Sequence, residues 1–413
     1  MRKIVLSALA ALTLGSVAAS AGSLQFYVDD QGQVFTTAAE GRTPLKSKET
    51  PVYAKASKLK FSGVHYLGYN FISTNEVKAV ADGGPKDATT TGNFEMRRNY
   101  VQVKAYLFDD SKSFLRVTLD STYSNSTANS GGHADVYVKY AYLFVNDVLP
   151  FTGVEFGMVH RPWIDYEEHQ GWWYRSISKV FVEASESAHL TNSADLGFNF
   201  KTKTEYFTTE LGLFNGEGYH GTNDSDGANG EHIGAGNSFE WRTTLATYGN
   251  GDKKRKPTKD IYFDMSFFGQ YNMLNSKNAD SAGNLYSYLF YGFHGVYNTP
   301  DFLIAAQYVK AENDYEATSE YNGRGFSVNG TYRFGKKHQY EVLARYDTWV
   351  SEKQTTDVDQ KTRSLIYGVA WQQNKNVKWL VSGQSYRADD YRNYKGSNVQ
   401  NWNSAMLTAE VHW

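Results

Sequence analysis

Glu167 and Glu168 stand side by side in "DYEEHQ", and two carboxylates are the minimum for general acid–base work. Sequence neighbours need not converge on one substrate, so solvated loop acids are the plainer reading. "GEGYHG" at 216–221 has the G-x-G-x-x-G spacing of a dinucleotide loop. Such a loop must open a helix, and the following "TNDSDGANG" cannot supply one. The acidic "NDSDGANGE" could attract calcium but misses the EF-hand ligand spacing. The 10 histidines fall at no metal-ligand spacing, and there is no cysteine to join them. No G-x-S-x-G elbow occurs. No catalytic residue, metal or cofactor is therefore expected.

What remains is charge held in one phase of an alternating pattern. Arg98, Lys104, Arg116, Lys139, Lys201, Arg242, Arg333, Arg345 and Lys378 all fall in it. So do Asp120, Asp135, Glu155, Asp195, Glu210, Glu240, Asp264, Glu341, Asp347 and Glu410. Between them stand Leu115, Val117 and Leu119, or Phe326, Val328, Tyr332 and Phe334. Alternation of this kind makes a strand with one wet and one apolar face. The chemistry it supports is electrostatic handling of ions along a wall.

The elements that would carry these residues are segments with period-two patterning, separated by turn residues. Sixteen are expected: 58–71, 94–108, 113–124, 134–145, 153–159, 190–202, 205–215, 237–249, 259–273, 285–298, 301–311, 323–334, 339–350, 364–373, 376–387 and 404–413. Short connections such as "DDSK", "NTPD" and "GKKH" alternate with long ones such as 216–236 and 388–403. Short turns on one side and long loops on the other describe a transmembrane β-barrel. The fold class is thus all-β, a sixteen-stranded antiparallel transmembrane barrel. Turning the nine basic side chains to lipid would cost about 2–4 kcal/mol each near the midplane. The polar face must therefore line the lumen. A soluble sheet would need a second layer over its apolar face, and no helical segment is found to supply one.

The ends of the chain agree. "MRKIVLSALAALTLGSVAASAGS" has a basic start, a short apolar run and an Ala-Ser-Ala cleavage site, so 1–21 is expected to be a signal peptide. Residues 22–57 have no clear period and form an expected periplasmic extension; 58–413 form the barrel. The formal net charge is -2, which indicates no nucleic-acid partner. "SAMLTAEVHW" ends the chain on an alternating strand, as a closed barrel requires. The expected place is the outer membrane of a Gram-negative bacterium. Arg97, Lys310 and Arg387 break the pattern by falling in the lipid phase near long-loop ends. Snorkelling to water explains them; the sharper alternative is contact with lipopolysaccharide phosphates. Outer-membrane lipid and lipopolysaccharide are the expected partners, with small hydrophilic solutes or ions as cargo.

Residues 160–188, "HRPWIDYEEHQGWWYRSISKVFVEASESA", form the third long connection and are too aromatic for a surface loop. A sixteen-stranded barrel leaves an aqueous channel, and this loop is expected to fold into it. With the flanking "RRNYVQVKAYLFDDSKSFLRVTLDSTYSN" at 97–125 and "GVEFGMVHRPWIDYEEHQGWWYRSISKVFVEASESAHLTNSADLGFNF" at 153–200, it resembles the phosphate-selective porins O and P. That resemblance implies a homotrimeric outer-membrane channel with an inward third loop, often anion-selective. The loop itself carries Arg161, Arg175 and Lys179 against Asp165, Glu167, Glu168, Glu183 and Glu186.

The expected site is therefore a constriction. Arg98, Lys104, Arg116, Lys139, Arg333, Arg345 and Lys378 would form a basic wall. Asp165, Glu167 and Glu168 would face it across the pore and set up a transverse field. The expected function is passive diffusion of small hydrophilic solutes or ions, with a possible preference for anions or phosphate. A barrel enzyme with a rim site and a structural barrel with a plugged lumen are the alternatives.

Overall fold

The structure is a computed structural model. It describes residues 27–31, 33–44, 58–76, 89–108, 110, 112–123, 134–216, 218–219, 237–248, 255–279, 284–314, 322–352, 360–389 and 400–413. The chain divides into two units, Met1–Lys58 and Leu59–Trp413. In the first, three two-residue strands form an antiparallel sheet: β1 (Tyr27–Val28), β2 (Val34–Phe35) and β3 (Thr43–Pro44). The expected signal peptide, and the long connections at 220–236 and 390–399, lie outside the described residues.

The second unit is a closed barrel of sixteen antiparallel strands. In chain order they are β4 (Leu59–Glu76), β5 (Thr89–Ala105), β6 (Phe114–Tyr123), β7 (Ala134–Leu149), β8 (Thr152–His160), β9 (Ala194–Lys203), β10 (Phe207–Phe214) and β11 (Asn237–Tyr248). Then come β12 (Tyr262–Ala279), β13 (Leu285–Asn298), β14 (Phe302–Asn313), β15 (Gly323–Phe334), β16 (Tyr340–Ser351), β17 (Gln360–Gln372), β18 (Val377–Asp389) and β19 (Gln400–His412). Each matches one expected segment. The main differences lie at the long-loop ends, where β4, β5, β12 and β17 extend past the alternating run, because ladder hydrogen bonds need no hydrophobic pattern.

Alternation sets the two faces. Along β15 the small or polar Gly325, Ser327, Asn329 and Thr331 are buried, while Phe326, Val328, Tyr332 and Phe334 are exposed. Among the described residues no helix is long and apolar enough to cross a membrane; the crossing elements are the strands of the closed barrel. β19 pairs with β4 from Gln400↔Glu76 to His412↔Val64. Trp413 and Gly63 then exchange backbone hydrogen bonds of 3.0 and 3.1 Å. The chain's last residue is therefore part of the closing seam and is not free to fray.

Two bulges matter for the lumen. Tyr66 pairs with Arg98 and Leu67 with Met96, so Arg97 is an extra residue in β5. Thr118 pairs with Tyr140 and Leu119 with Val138, so Lys139 is extra in β7. A bulge re-aims a side chain, and here each inserted residue is a cation turned inward. Arg97 was expected to face lipid; instead its guanidinium donates to the Ile177 carbonyl inside the barrel at 3.0 Å.

The main apolar core lies inside the lumen. Residues 161–193, between β8 and β9, fold inward and begin with a helix, α1 (Pro162–Gln170). The sequence reading held no helix. Proline at the first turn favours one, and Gly171 ends it with its N–H on the Glu167 carbonyl at 2.9 Å. Both ends of the loop meet, since the Arg161 N–H donates to the Ser193 carbonyl at 3.2 Å. Trp163, Trp172, Tyr174, Phe181 and Val182 of the loop pack with Phe268, Phe290, Val309, Leu343, Trp349, Ile366, Leu380 and Met406 of the wall. Those wall positions break the polar phase of β12 to β19, and they mark where the loop lands.

Candidate functional site

The inward loop divides the lumen wall into a covered half and an open half. On the covered half, "WWY" docks on three cations in turn. The Arg345 guanidinium lies 5.0 Å from the Trp172 ring, Arg333 lies 5.2 Å from Trp173, and the Lys378 ammonium lies 5.3 Å from Tyr174. Each such contact contributes about 0.5–2 kcal/mol, more where water is excluded. The same cations are held by neighbours. Arg345 donates to both Asp347 carboxylate oxygens, at 2.9 and 2.6 Å, and to the Lys179 carbonyl at 2.6 Å. Arg333 donates to the Thr299 carbonyl at 2.8 Å and to Asn298 at 3.0 Å, securing a short turn. Lys378 pairs with Glu341 at 3.1 Å.

Lys139, the bulge residue of β7, is fully buried against the loop's far end. It bonds Ser193, and its ammonium sits 3.4 Å from the Tyr219 ring. Of the seven residues expected to form the basic wall, Arg333, Arg345, Lys378 and Lys139 thus lie under or beside the docked loop. None of the four lines either lumen cavity described below. The loop covers β12 to β19, a sector whose inward apolar residues were passed over when only charges were followed.

The loop's own charges divide the same way. Arg161 is an anchor, 2% exposed, paired with Asp195 at 2.7 Å and with Glu240, and donating to Gln270 at 2.9 Å. Glu167 points at the wall, where Gln307 of β14 donates to it. Burial pushes its carboxyl up to about 7, with Arg345 pulling the other way. Glu168, two positions short of the helix end, turns to Arg175 at 2.7 Å. Glu167 and Glu168 therefore do not converge, and the acid–base dyad does not exist. Asp165 pairs with Lys201 at 3.2 Å. Burial opposes its charge, but Lys201 and His160 outweigh burial and hold its carboxyl well below the usual range. Glu183 is likewise held low, with burial overcome by Lys179 at 3.0 Å and Arg175 at 3.9 Å. The expected opposition of Asp165, Glu167 and Glu168 to a basic wall fails at Glu167. The other two are neutralised by adjacent cations.

The open half holds two cavities that adjoin at Arg175, which lines both. The larger, about 1010 Å³, runs from the short-turn end and is walled by Lys104, Arg116, Tyr66, Tyr100, Tyr140 and Tyr142 on one side. The smaller, about 360 Å³, lies toward the long loops and is lined by Arg97, Arg98, Lys179 and Glu183 among others. Ten Lys or Arg side chains face eight Asp or Glu across the two, a net of +2 in a chain whose formal charge is -2. The acids are mostly consumed locally. Lys201 holds Glu155 and Asp165, both at 3.2 Å, Arg242 holds Glu210 at 2.8 Å, and Arg255 holds Asp264.

Three cations are not consumed. Lys60, Lys104 and Arg116 occupy one row across β4, β5 and β6, each directly opposite the next. Among the described residues, none of the three makes an ion pair. Arg116 donates to Thr118 at 3.0 Å and Tyr142 at 3.3 Å, and lies 4.7 Å from the Tyr140 ring. Like charges directly opposed on a sheet repel, so this row carries a standing positive potential into the lumen. Lys60 was missed in the sequence because its segment alternates poorly. No cluster of His, Asp or Glu able to hold a metal ion is found among the described residues.

No protein-family model matches the chain, and no curated protein matches it. Solved structures do. The chain is similar to outer-membrane OmpT of Vibrio cholerae, at 16% identity and a TM-score of 0.53, over 86% of this chain and 97% of that one. The same protein is described in a trimer form. An anion-selective porin from Comamonas acidovorans matches at 10% identity and 0.56, over 86% and 99%. OprB of Pseudomonas putida matches at 9% and 0.56, over 88% and 96%. The fold is thus that of outer-membrane porins.

Proposed function

We propose that this chain is a passive outer-membrane diffusion pore for small hydrophilic solutes and that it prefers anions. The observation that carries the preference is the Lys60–Lys104–Arg116 row, three unpaired cations on the open wall. A water-filled lumen with low-dielectric walls focuses such a potential on passing ions. Arg98 and Arg97 continue the basic character past Arg175 toward the long loops. Anions would enter along this side, while the loop keeps the other side closed. The reading is supported by the similarity to an anion-selective porin and by the resemblance of 97–125 and 153–200 to phosphate-selective porins. A homotrimer is the assembly this reading takes. No residue is assigned to catalysis, since the paired acids of the loop serve as anchors.

Phosphate is the probe that tests the finer claim. Added to a chloride-conducting single channel in a planar bilayer, it should reduce chloride current by occupying the row. Lys104→Gln with Arg116→Gln should weaken that block about tenfold or more, given the strength of charge-assisted bonds. Equal block in wild type and variant would remove the row as the anion site.

A further inference from the structure

Two apolar rings stand on the open wall beside the unpaired cations. Phe114 of β6 and Phe144 of β7 are directly opposite each other, with ring centroids 5.3 Å apart, and both line the larger lumen cavity. They face inward at the short-turn end, so they are no part of the aromatic girdle that meets lipid. The Phe144 ring lies against the wall at Gly153 of β8, where a Cβ would come within 2.6 Å of it. A glycine there lets one face of the ring rest on backbone and leaves the other to the cavity. Phe114 meets Tyr106 and Tyr142 at tilted angles, with centroids 5.7 and 6.2 Å apart. On the far half of the lumen, inward apolar residues such as Leu343 and Trp349 are covered by the docked loop. Phe114 and Phe144 pack instead at the edge of a separate cluster around Tyr140 and Tyr142, on the wall itself, and remain half-buried. Apolar surface left open in a concave, otherwise polar site suits the apolar part of a ligand.

The charge left free beside these rings is positive. The Lys104 ammonium stands 4.2 Å from the Phe114 ring. Arg116 is directly opposite both Lys104 and Tyr142, one inward position along β6 from Phe114. Among the described residues neither cation pairs with an acid. Arg116 donates to the Tyr142 hydroxyl at 3.3 Å, which leaves that hydroxyl its own proton to give to an acceptor in the cavity. Glu155, the acid directly opposite Phe144, is held by Lys201 at 3.2 Å.

We propose that Phe114, Phe144, Lys104 and Arg116 form a binding site for aromatic monocarboxylates, of which benzoate is the simplest. The carboxylate accepts from Lys104, Arg116 and the Tyr142 hydroxyl, and the ring covers Phe114 and Phe144. Successive inward positions on a strand lie about 7 Å apart, about the length of a benzoate ion, so one molecule reaches both rows. An inorganic anion satisfies the cations alone, and a neutral arene satisfies the rings alone. The proposal rests on the anion-pore reading and names an organic substrate class for it.

The test is block of chloride current through single channels in a planar bilayer by benzoate, acetate and benzamide. Benzoate should half-block wild type at a concentration about tenfold below that of acetate, since ring stacking and burial add to the charge contact. Benzamide, which has the ring without the charge, should also block about tenfold less well than benzoate. Phe114→Leu with Phe144→Leu keeps the cations and removes the rings, and should erase most of the difference between benzoate and acetate. Tyr332→Leu with Phe334→Leu, on the lipid face, should leave that difference in place. Wild type decides alone if the first variant fails to assemble: equal block by benzoate and acetate, or by benzoate and benzamide, would overturn the proposal. An undiminished benzoate advantage in the assembled Phe114→Leu, Phe144→Leu channel would overturn it too. The reversal potential in a KCl gradient separates the two readings. A channel that favours chloride but blocks equally with acetate and benzoate loses the aromatic site and keeps the anion pore; one that favours potassium loses both.

Discussion

Replacing Arg161 with Met should release the root of the inward loop while leaving the barrel closed. The guanidinium is 2% exposed and bridges Asp195 of β9, at 2.7 Å, and Glu240 of β11. Removing one member of a buried pair costs about 3–5 kcal/mol, because the remaining charge is stranded. Here two carboxylates would be stranded, which places the loss near the upper end, about 5 kcal/mol. The cation–π contacts at Trp172, Trp173 and Tyr174 stay, but at about 0.5–2 kcal/mol each they were already present and cannot offset it. The loop's first turn should therefore swing free of the wall. Limited proteolysis of the folded protein, read by mass, should yield a cut within 161–193 that wild type resists. Single-channel current should rise and become noisier. Arg161→Met combined with Asp195→Asn and Glu240→Gln strands no charge and should regain most of the protection. An Arg161→Met protein that resists protease and conducts as wild type would refute the claim that this ion-pair cluster anchors the loop.

Two further outcomes follow from single residues. The Glu167 carboxyl is raised to about 7, above its ordinary 4.5, so the docked loop holds its proton more tightly than a released loop does. The Glu167 contribution to docking is then greatest below pH 4.5, weakens as pH rises from there through about 7, and is level above that; current noise should grow between pH 4.5 and 7, and Glu167→Gln should reduce that growth. Gly63 lies under the Trp413 ring, which a Cβ would approach to 2.4 Å. Gly63→Val should displace the ring and its 2.8 Å bond to His65, slowing assembly into lipid vesicles as seen by the heat-modifiable gel band, and adding little further loss in a Trp413→Ala background.

Strand count, strand identity and the two faces were legible because alternation is a local property of each segment. The inward loop was legible from composition, since six aromatics in a surface loop have nowhere to go. What stayed hidden depends on partners. The bulges that turn Arg97 and Lys139 inward exist only in the pairing of β4 with β5 and of β6 with β7. A phase counted along one strand assigned Arg97 to lipid for that reason. The basic wall was misread for a different one. Arg333, Arg345 and Lys378 do point inward, but alternation cannot tell an open lumen from one filled by another part of the chain. The signal was available in Phe268, Phe290, Leu343, Trp349, Ile366 and Leu380, apolar residues standing in the polar phase. An inward apolar residue in a water-filled barrel needs a cover, and the loop is that cover.

The central claim is that three unpaired cations, Lys60, Lys104 and Arg116, make the open lumen favour anions. The most direct measurement is the reversal potential of the wild-type channel across a planar bilayer in a KCl gradient, set beside that of Lys60→Gln, Lys104→Gln and Arg116→Gln combined. The account expects wild type to reverse toward the chloride equilibrium potential and the triple variant to shift toward that of potassium. A wild-type channel that already favours potassium, or a triple variant with an unchanged reversal potential, would contradict it.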